Sequence, residues 1–122
     1  PWNEDPLADA ETLRLAPDGR ILEIGQKPRS LAEIEGQYMG LMKFSAAGLS
    51  LLKKTFHDAR RAGALRGKAV EKAYMTDLLQ AMVDAGHRLD SVPVHGGWVE
   101  VDTVGDLESQ TTRSRLPAIA HP

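Results

Sequence analysis

Glu100 and Asp102 stand two residues apart in Gly96-Gly97-Trp98-Val99-Glu100-Val101-Asp102-Thr103-Val104-Gly105-Asp106-Leu107. Val99 and Val101 alternate with them, so a short strand over this stretch turns its valines one way and both carboxylates the other. Thr103 then offers a cap for a new helix over 104–110, and Asp106 three residues on completes an approximate capping box. Two carboxylates on one face, where a strand hands over to a helix, are a candidate cation site. Such oxygen donors suit Mg²⁺, which takes one or two carboxylates, several waters and a substrate phosphate. The same pattern also fits an edge strand with a solvated polar face.

The elements that position this stretch are read in chain order. Glu11-Thr12-Leu13-Arg14-Leu15 and Arg20-Ile21-Leu22-Glu23-Ile24 flank Pro17-Asp18-Gly19, a turn sequence, and predict a half-buried hairpin. Pro28 stops its second strand. Residues 34–44 form a long apolar run containing Gly36 and Gly40, which predicts a buried strand approached by another backbone or a ligand. Ser45 caps a helix running to Ala62, with Leu49, Leu52, Phe56 and Ala59 as its inner stripe and Gly63 as its C-terminal cap. His57 lies off that stripe and is read as a surface residue. Residues 63–69 are a basic, glycine-bearing connector. A second helix spans 76–85, with Leu78, Leu79, Met82 and Val83 inward and Gly86 ending it. Met75 and Met82 are read as core fillers. Residues 88–94 give one more short strand, with Pro93 marking an edge.

The resulting order predicts an α/β fold with a mixed β-sheet and flanking helices. Residues 1–10 read as a linker, 11–110 as the folded part and 111–122 as a loose tail. A sheet of this kind needs further strands to be covered, and the chain starts without Met or a first structural element. It reads as part of something larger.

Composition narrows the classes. With 15 basic and 17 acidic residues the formal charge is −2, and Lys53-Lys54 with Arg60-Arg61 read as a solvated helix face, so no nucleic-acid partner is expected. The absence of cysteine removes disulfides, thiol catalysis and thiolate metal sites. No apolar run is long enough to cross a bilayer and no signal pattern opens the chain, so no membrane partner and a cytoplasmic location are expected.

Four motifs, in order, resemble the C-terminal half of the sugar-phosphate nucleotidyltransferase-like superfamily. Ile24-Gly25-Gln26-Lys27-Pro28 is similar to its Glu-Lys-Pro element, and Gly36-Gln37-Tyr38-Met39-Gly40-Leu41-Met42-Lys43-Phe44 to its acceptor-wall strand. Tyr74-Met75-Thr76-Asp77 resembles its Tyr-x-Thr-Asp element, and Trp98-Val99-Glu100-Val101-Asp102-Thr103 the strand supplying its second metal carboxylate. The Gly-Gly-Trp and Glu-Val-Asp wording is most similar to the small phosphocholine and phosphonate cytidylyltransferases.

The resemblance implies a Rossmann-like, glycosyltransferase-A-like fold and a Mg²⁺-dependent transfer of a nucleotide monophosphate, CMP from CTP. The acceptor would be a small phosphate or phosphonate, and pyrophosphate would leave. It assigns Asp102 to the metal, with Glu100 as second ligand or water-holder. It assigns Lys27 to the acceptor's phosphate, and Gly36, Tyr38 and Gly40 to the acceptor pocket. Asp77 and Thr76 are read as a helix cap. The family's glycine-rich triphosphate loop has no counterpart here, so the chain alone is expected to be inactive. Two other readings stay open: a non-catalytic module that self-associates as a homodimer through exposed sheet edges, and a small-molecule-binding protein using Lys27 and Tyr38.

Overall fold

A computed structural model describes residues 7, 10–109 and 113–114. The linker over 1–10 and the tail over 111–122 therefore lie almost wholly outside the described residues. Internal contacts divide the chain into two compact units, one spanning Asp5–Ser91 and one containing the residues from Val92 onward.

The first unit opens on the predicted hairpin. β1 (Leu13–Leu15) pairs antiparallel with β2 (Ile21–Ile24), Leu13 opposite Ile24 and Arg14 opposite Glu23, with an irregularity before Leu15 pairs with Ile21. Gly19 adopts φ +87° in the turn. Residues 89–91 run beside the turn end of β2: the Ile21 N–H donates to the Leu89 carbonyl at 2.8 Å and the Ser91 N–H to the Gly19 carbonyl at 3.0 Å. The strand predicted over 88–94 is thus reduced to one antiparallel bridge, Arg20 with Asp90.

α1 (Ala46–Ala62) follows as predicted, with the Ser45 hydroxyl accepting from the Gly48 N–H and Gly63 in the left-handed region at φ +76°. The connector then folds into a second hairpin, β3 (Ala64–Leu65) against β4 (Lys68–Ala69). Arg66 and Gly67 take φ +49° and +82°, the left-handed pair that a two-residue hairpin turn requires. α2 (Met75–Asp84) buries Leu78, Leu79 and Met82. Ala59, Leu65 and Leu78 form the centre of the core, with Leu52, Val70, Ala73 and Ala81 packed around them.

Four expectations are corrected here. Residues 36–44 form no strand. Ile34 makes one parallel bridge to Leu13, the Glu35 N–H donates to the Leu13 carbonyl, and no ladder continues past them. Leu41 is 82% exposed and Gly40 turns at φ +81°, because among the described residues no second backbone pairs with this segment to satisfy an extended chain. The inner stripe of α1 is only half used: Ala59 is buried, but Leu49 and Phe56 are exposed, since α2 and β3 cover just one side of the helix. Met75 is exposed, and only Met82 fills the core. The described sheets are two separate antiparallel pairs in a mixed α/β chain, not one mixed sheet.

In the second unit, the strand predicted over 99–102 is also absent. Gly96 and Gly97 both take left-handed φ immediately before it, and no described backbone pairs with it. α3 (Val104–Glu108) does form behind the predicted cap.

Candidate functional site

Lys27 is exposed, yet the backbone around it is fixed. The Gly25 N–H donates to the Thr12 carbonyl at 3.0 Å, the Gln26 N–H to Thr12 Oγ1 at 3.1 Å, and the Thr12 N–H back to the Gln26 carbonyl at 2.8 Å. The Gln26 side-chain amide closes the turn on the Ile24 carbonyl at 2.9 Å. Thr12 and Pro28 are both buried. A lysine carried on such a turn is a cation presented from a rigid support.

The turn is docked on the first turn of α2. Gly25 adopts φ +73°, and a Cβ there would fall 2.4 Å from Thr76 Cβ and 2.5 Å from its Oγ1. No side chain other than hydrogen fits. The Ile24 N–H donates to Gln80 Oε1 at 2.7 Å in a buried hydrogen bond. The Ile24–Pro28 and Tyr74–Asp77 motifs, 50 residues apart in sequence, therefore meet.

Asp77 anchors this helix start. Its Oδ2 accepts from the Tyr74 N–H at 2.8 Å, and Lys68 Nζ on β4 donates to both carboxylate oxygens at 3.1 and 3.2 Å. The carboxylate is buried and the lysine half exposed, with its ammonium 5.4 Å from the centre of the Tyr74 ring. The expected cap role is borne out for Asp77 but not for Thr76, whose side chain packs against Gly25 instead. Its ion pair with Lys68 and the buried acceptor Gln80 were not read from the sequence. The Arg66-Gly67 turn could have placed Lys68 on a hairpin strand, but nothing local names α2 as its neighbour.

Gly36, Tyr38 and Gly40 occupy the irregular segment after Ile34. Gly36 lies against Leu13, whose Cδ2 would be 2.9 Å from a Cβ at that position. Tyr38 is half-buried, with its hydroxyl 3.4 Å from Met42 Sδ, and burial, followed by the Glu11 carboxylate, raises the phenol's pKa. A Cβ at Gly40 would meet nothing within 4 Å. A shallow groove of about 440 Å³ between α1, β3 and α2, floored by Ala59, Leu65 and Ala81, includes none of these residues.

Glu100 and Asp102 belong to the second unit and are both exposed. Asp102 is tied to α3 through its backbone: its N–H donates to Asp106 Oδ2 at 3.1 Å, as does that of Thr103, while Thr103 Oγ1 accepts from the Asp106 N–H. Those two N–H groups, Asp102 first, hold the Asp106 carboxyl below its usual range. Among the described residues no group of three or more His, Asp or Glu converges on one point. Two exposed oxygen donors on one short stretch fit a hydrated Mg²⁺, which keeps much of its water shell, better than a fully protein-caged ion.

Over 106 residues the chain is 40% identical to the CTP:phosphoglutamine cytidylyltransferase of Campylobacter jejuni. The match covers 87% of this chain and 42% of that protein, so the chain spans less than half the length of its curated relative. No family model and no solved structure matches it. The matched length, 87% of the chain, is enough to take in motifs from both units. No described helix is long and apolar enough to cross a membrane.

Proposed function

We propose that this chain is the acceptor- and metal-holding part of a CTP-dependent nucleotidyltransferase with a Rossmann-like catalytic domain. The observation that carries this reading is the 40% identity to a cytidylyltransferase along most of the chain, with the four ordered motifs as its local content. The acceptor is a small phosphorylated or phosphonate compound, of the class that the relative's phosphoglutamine represents. One of its phosphate oxygens forms a bond to the α-phosphorus of CTP as the bond between that phosphorus and the bridging oxygen of the β-phosphate breaks. The CMP-linked acceptor and pyrophosphate are the products.

This chemistry asks for positioning and charge neutralisation more than for covalent participation by the protein. Lys27 holds the acceptor's phosphate from its fixed turn. Gly36, Tyr38 and Gly40 shape the pocket for the remainder of the acceptor. Asp102, with Glu100 as second ligand or water-holder, would hold Mg²⁺, which supplies charge neutralisation at the phosphates. The chain alone is inactive, because nothing in it matches the loop that cradles the triphosphate.

The test is to mix the chain with a complementary nucleotide-binding half, CTP, Mg²⁺ and phosphocholine, phosphoglutamine or an aminoalkyl phosphonate, and follow pyrophosphate. Release that needs both halves and disappears in Asp102→Ala supports the proposal. Silence with every acceptor in an assembled complex refutes it. A non-catalytic, self-associating module is the second reading, favoured by the exposed Leu31 and Leu41 and by the Leu13–Ile34 bridge, which no ladder extends. Sedimentation separates the two, since a monomer at high concentration removes the homodimer.

A further inference from the structure

We infer that Thr76 is a positioning residue for Lys27, an inference that rests on the reading of Lys27 as the phosphate-holding lysine. The turn bearing Lys27 is gripped from two sides. Buried Thr12 holds Gly25 and Gln26 by hydrogen bonds on one flank. On the other flank the Gly25 backbone rests directly on the Thr76 side chain, closer than any Cβ would allow.

Thr76 suits this task. It is β-branched, so its χ1 is stiff within a helix, and it is almost fully buried. Its own helix cannot slide, because Asp77 binds Lys68 and the Tyr74 N–H on one side of it and Gln80 binds the Ile24 N–H four residues later. Gly25 supplies the complementary property. With no side chain it permits the close approach, but its freedom at φ +73° leaves the turn without a preference of its own. The direction in which residues 25–28 leave β2 is therefore set by Thr76 on one flank and Thr12 on the other, and glycine adds no preference of its own. Truncating Thr76 to alanine removes the Oγ1 and methyl that lie against Gly25, leaves only its Cβ there and loosens that flank of the turn, and the ammonium two residues on moves with it.

The experiment uses the chain as it stands, in wild-type form and as Thr76→Ala, Thr76→Val, Lys27→Ala and the Thr76→Ala/Lys27→Ala double variant. Amide hydrogen exchange is read at Gly25 and Gln26, with amides in the middle of α1 as the internal control, and methyl phosphate is titrated by NMR. Thr76→Ala is expected to speed exchange at Gly25 and Gln26 about tenfold over the control and to weaken phosphate binding about fivefold. Thr76→Val, which restores the shape, is expected to reverse both. In the Lys27→Ala background Thr76→Ala is expected to have no further effect on phosphate. Unchanged exchange in Thr76→Ala overturns the inference, as does an equal loss of phosphate binding with Lys27 absent. Phosphate binding that survives Lys27→Ala overturns the reading of Lys27 instead, and the exchange result then decides by itself whether Thr76 holds the turn. Should alanine unfold the chain, Thr76→Ser, which keeps Cβ and Oγ1 but loses the methyl at 3.3 Å and with it the stiff β-branch, is expected to speed exchange at Gly25 and Gln26 by a smaller factor, and exchange equal to wild type overturns the inference.

Discussion

Replacing Lys68 by methionine should destabilise the first unit more than changing its partner Asp77 to asparagine. The Asp77 side chain is 3% exposed and that of Lys68 48% exposed, so the two ends of the pair face different solvents. Removing the partner of a fully buried charge costs about 3–5 kcal/mol, because the remaining ion keeps its desolvation penalty. Here water can reach the place of the half-exposed ammonium, which lowers the expected loss for Lys68→Met to about 2 kcal/mol. Asp77→Asn keeps an oxygen for the Tyr74 N–H and releases Lys68 to water, so about 1 kcal/mol is expected. With both changes no buried charge remains, and the loss should stay near about 1 kcal/mol instead of the additive 3. No tryptophan falls within Asp5–Ser91, so tryptophan fluorescence does not report on this unit. The assay is urea unfolding by circular dichroism at 222 nm, dominated by α1 (17 residues) and α2 (10 residues). A Lys68→Met loss no larger than that of Asp77→Asn, or additive losses in the double variant, would refute the reasoning.

Three further outcomes follow from single features. Gly63→Ala places a side chain at φ +76° at the end of α1 and should cost about 1–2 kcal/mol in the same unfolding experiment. The folded Asp106 carboxyl is held below its unfolded value, so its contribution to the α3 cap is complete above about pH 4 and is lost as pH falls through the lower folded value. Carboxyl-carbon NMR checks this as an Asp106 midpoint below that of an ordinary aspartate, with the Asp102 and Thr103 amide shifts moving in step. Mn²⁺ as a paramagnetic stand-in for Mg²⁺ should broaden amides over residues 100–106; Asp102→Ala should abolish the broadening and Glu100→Ala weaken it.

Local signals were legible and long-range ones were not. Ser45 and Gly63 bound α1, Thr103 and Asp106 start α3, and Pro17-Asp18-Gly19 turns the first hairpin, because each acts through neighbours within four residues. Residues 36–44 and 99–102 carry strand-like sequences but no strand, because a strand exists only where a second backbone accepts its hydrogen bonds. The meeting of Gly25 with Thr76 was hidden for the same reason. A glycine after a strand announces a turn or a close approach, but not what approaches. Glu100 and Asp102 stand as exposed carboxylates at a capped helix start, with no strand before it among the described residues.

The single parallel bridge between Leu13 and Ile34 has a consequence of parity. Ordering each further residue costs about 1–2 kcal/mol of backbone entropy, which the segment cannot recover unpaired. The bridge nonetheless fixes the register of any strand that grows from it, and side chains along a strand alternate with period two. Counting on from Ile34, Gly36, Tyr38, Gly40 and Met42 fall on one face, and Gln37, Met39, Leu41 and Lys43 on the other. One pair of residues thus settles in advance that the tyrosine and both small positions beside it would line the same wall.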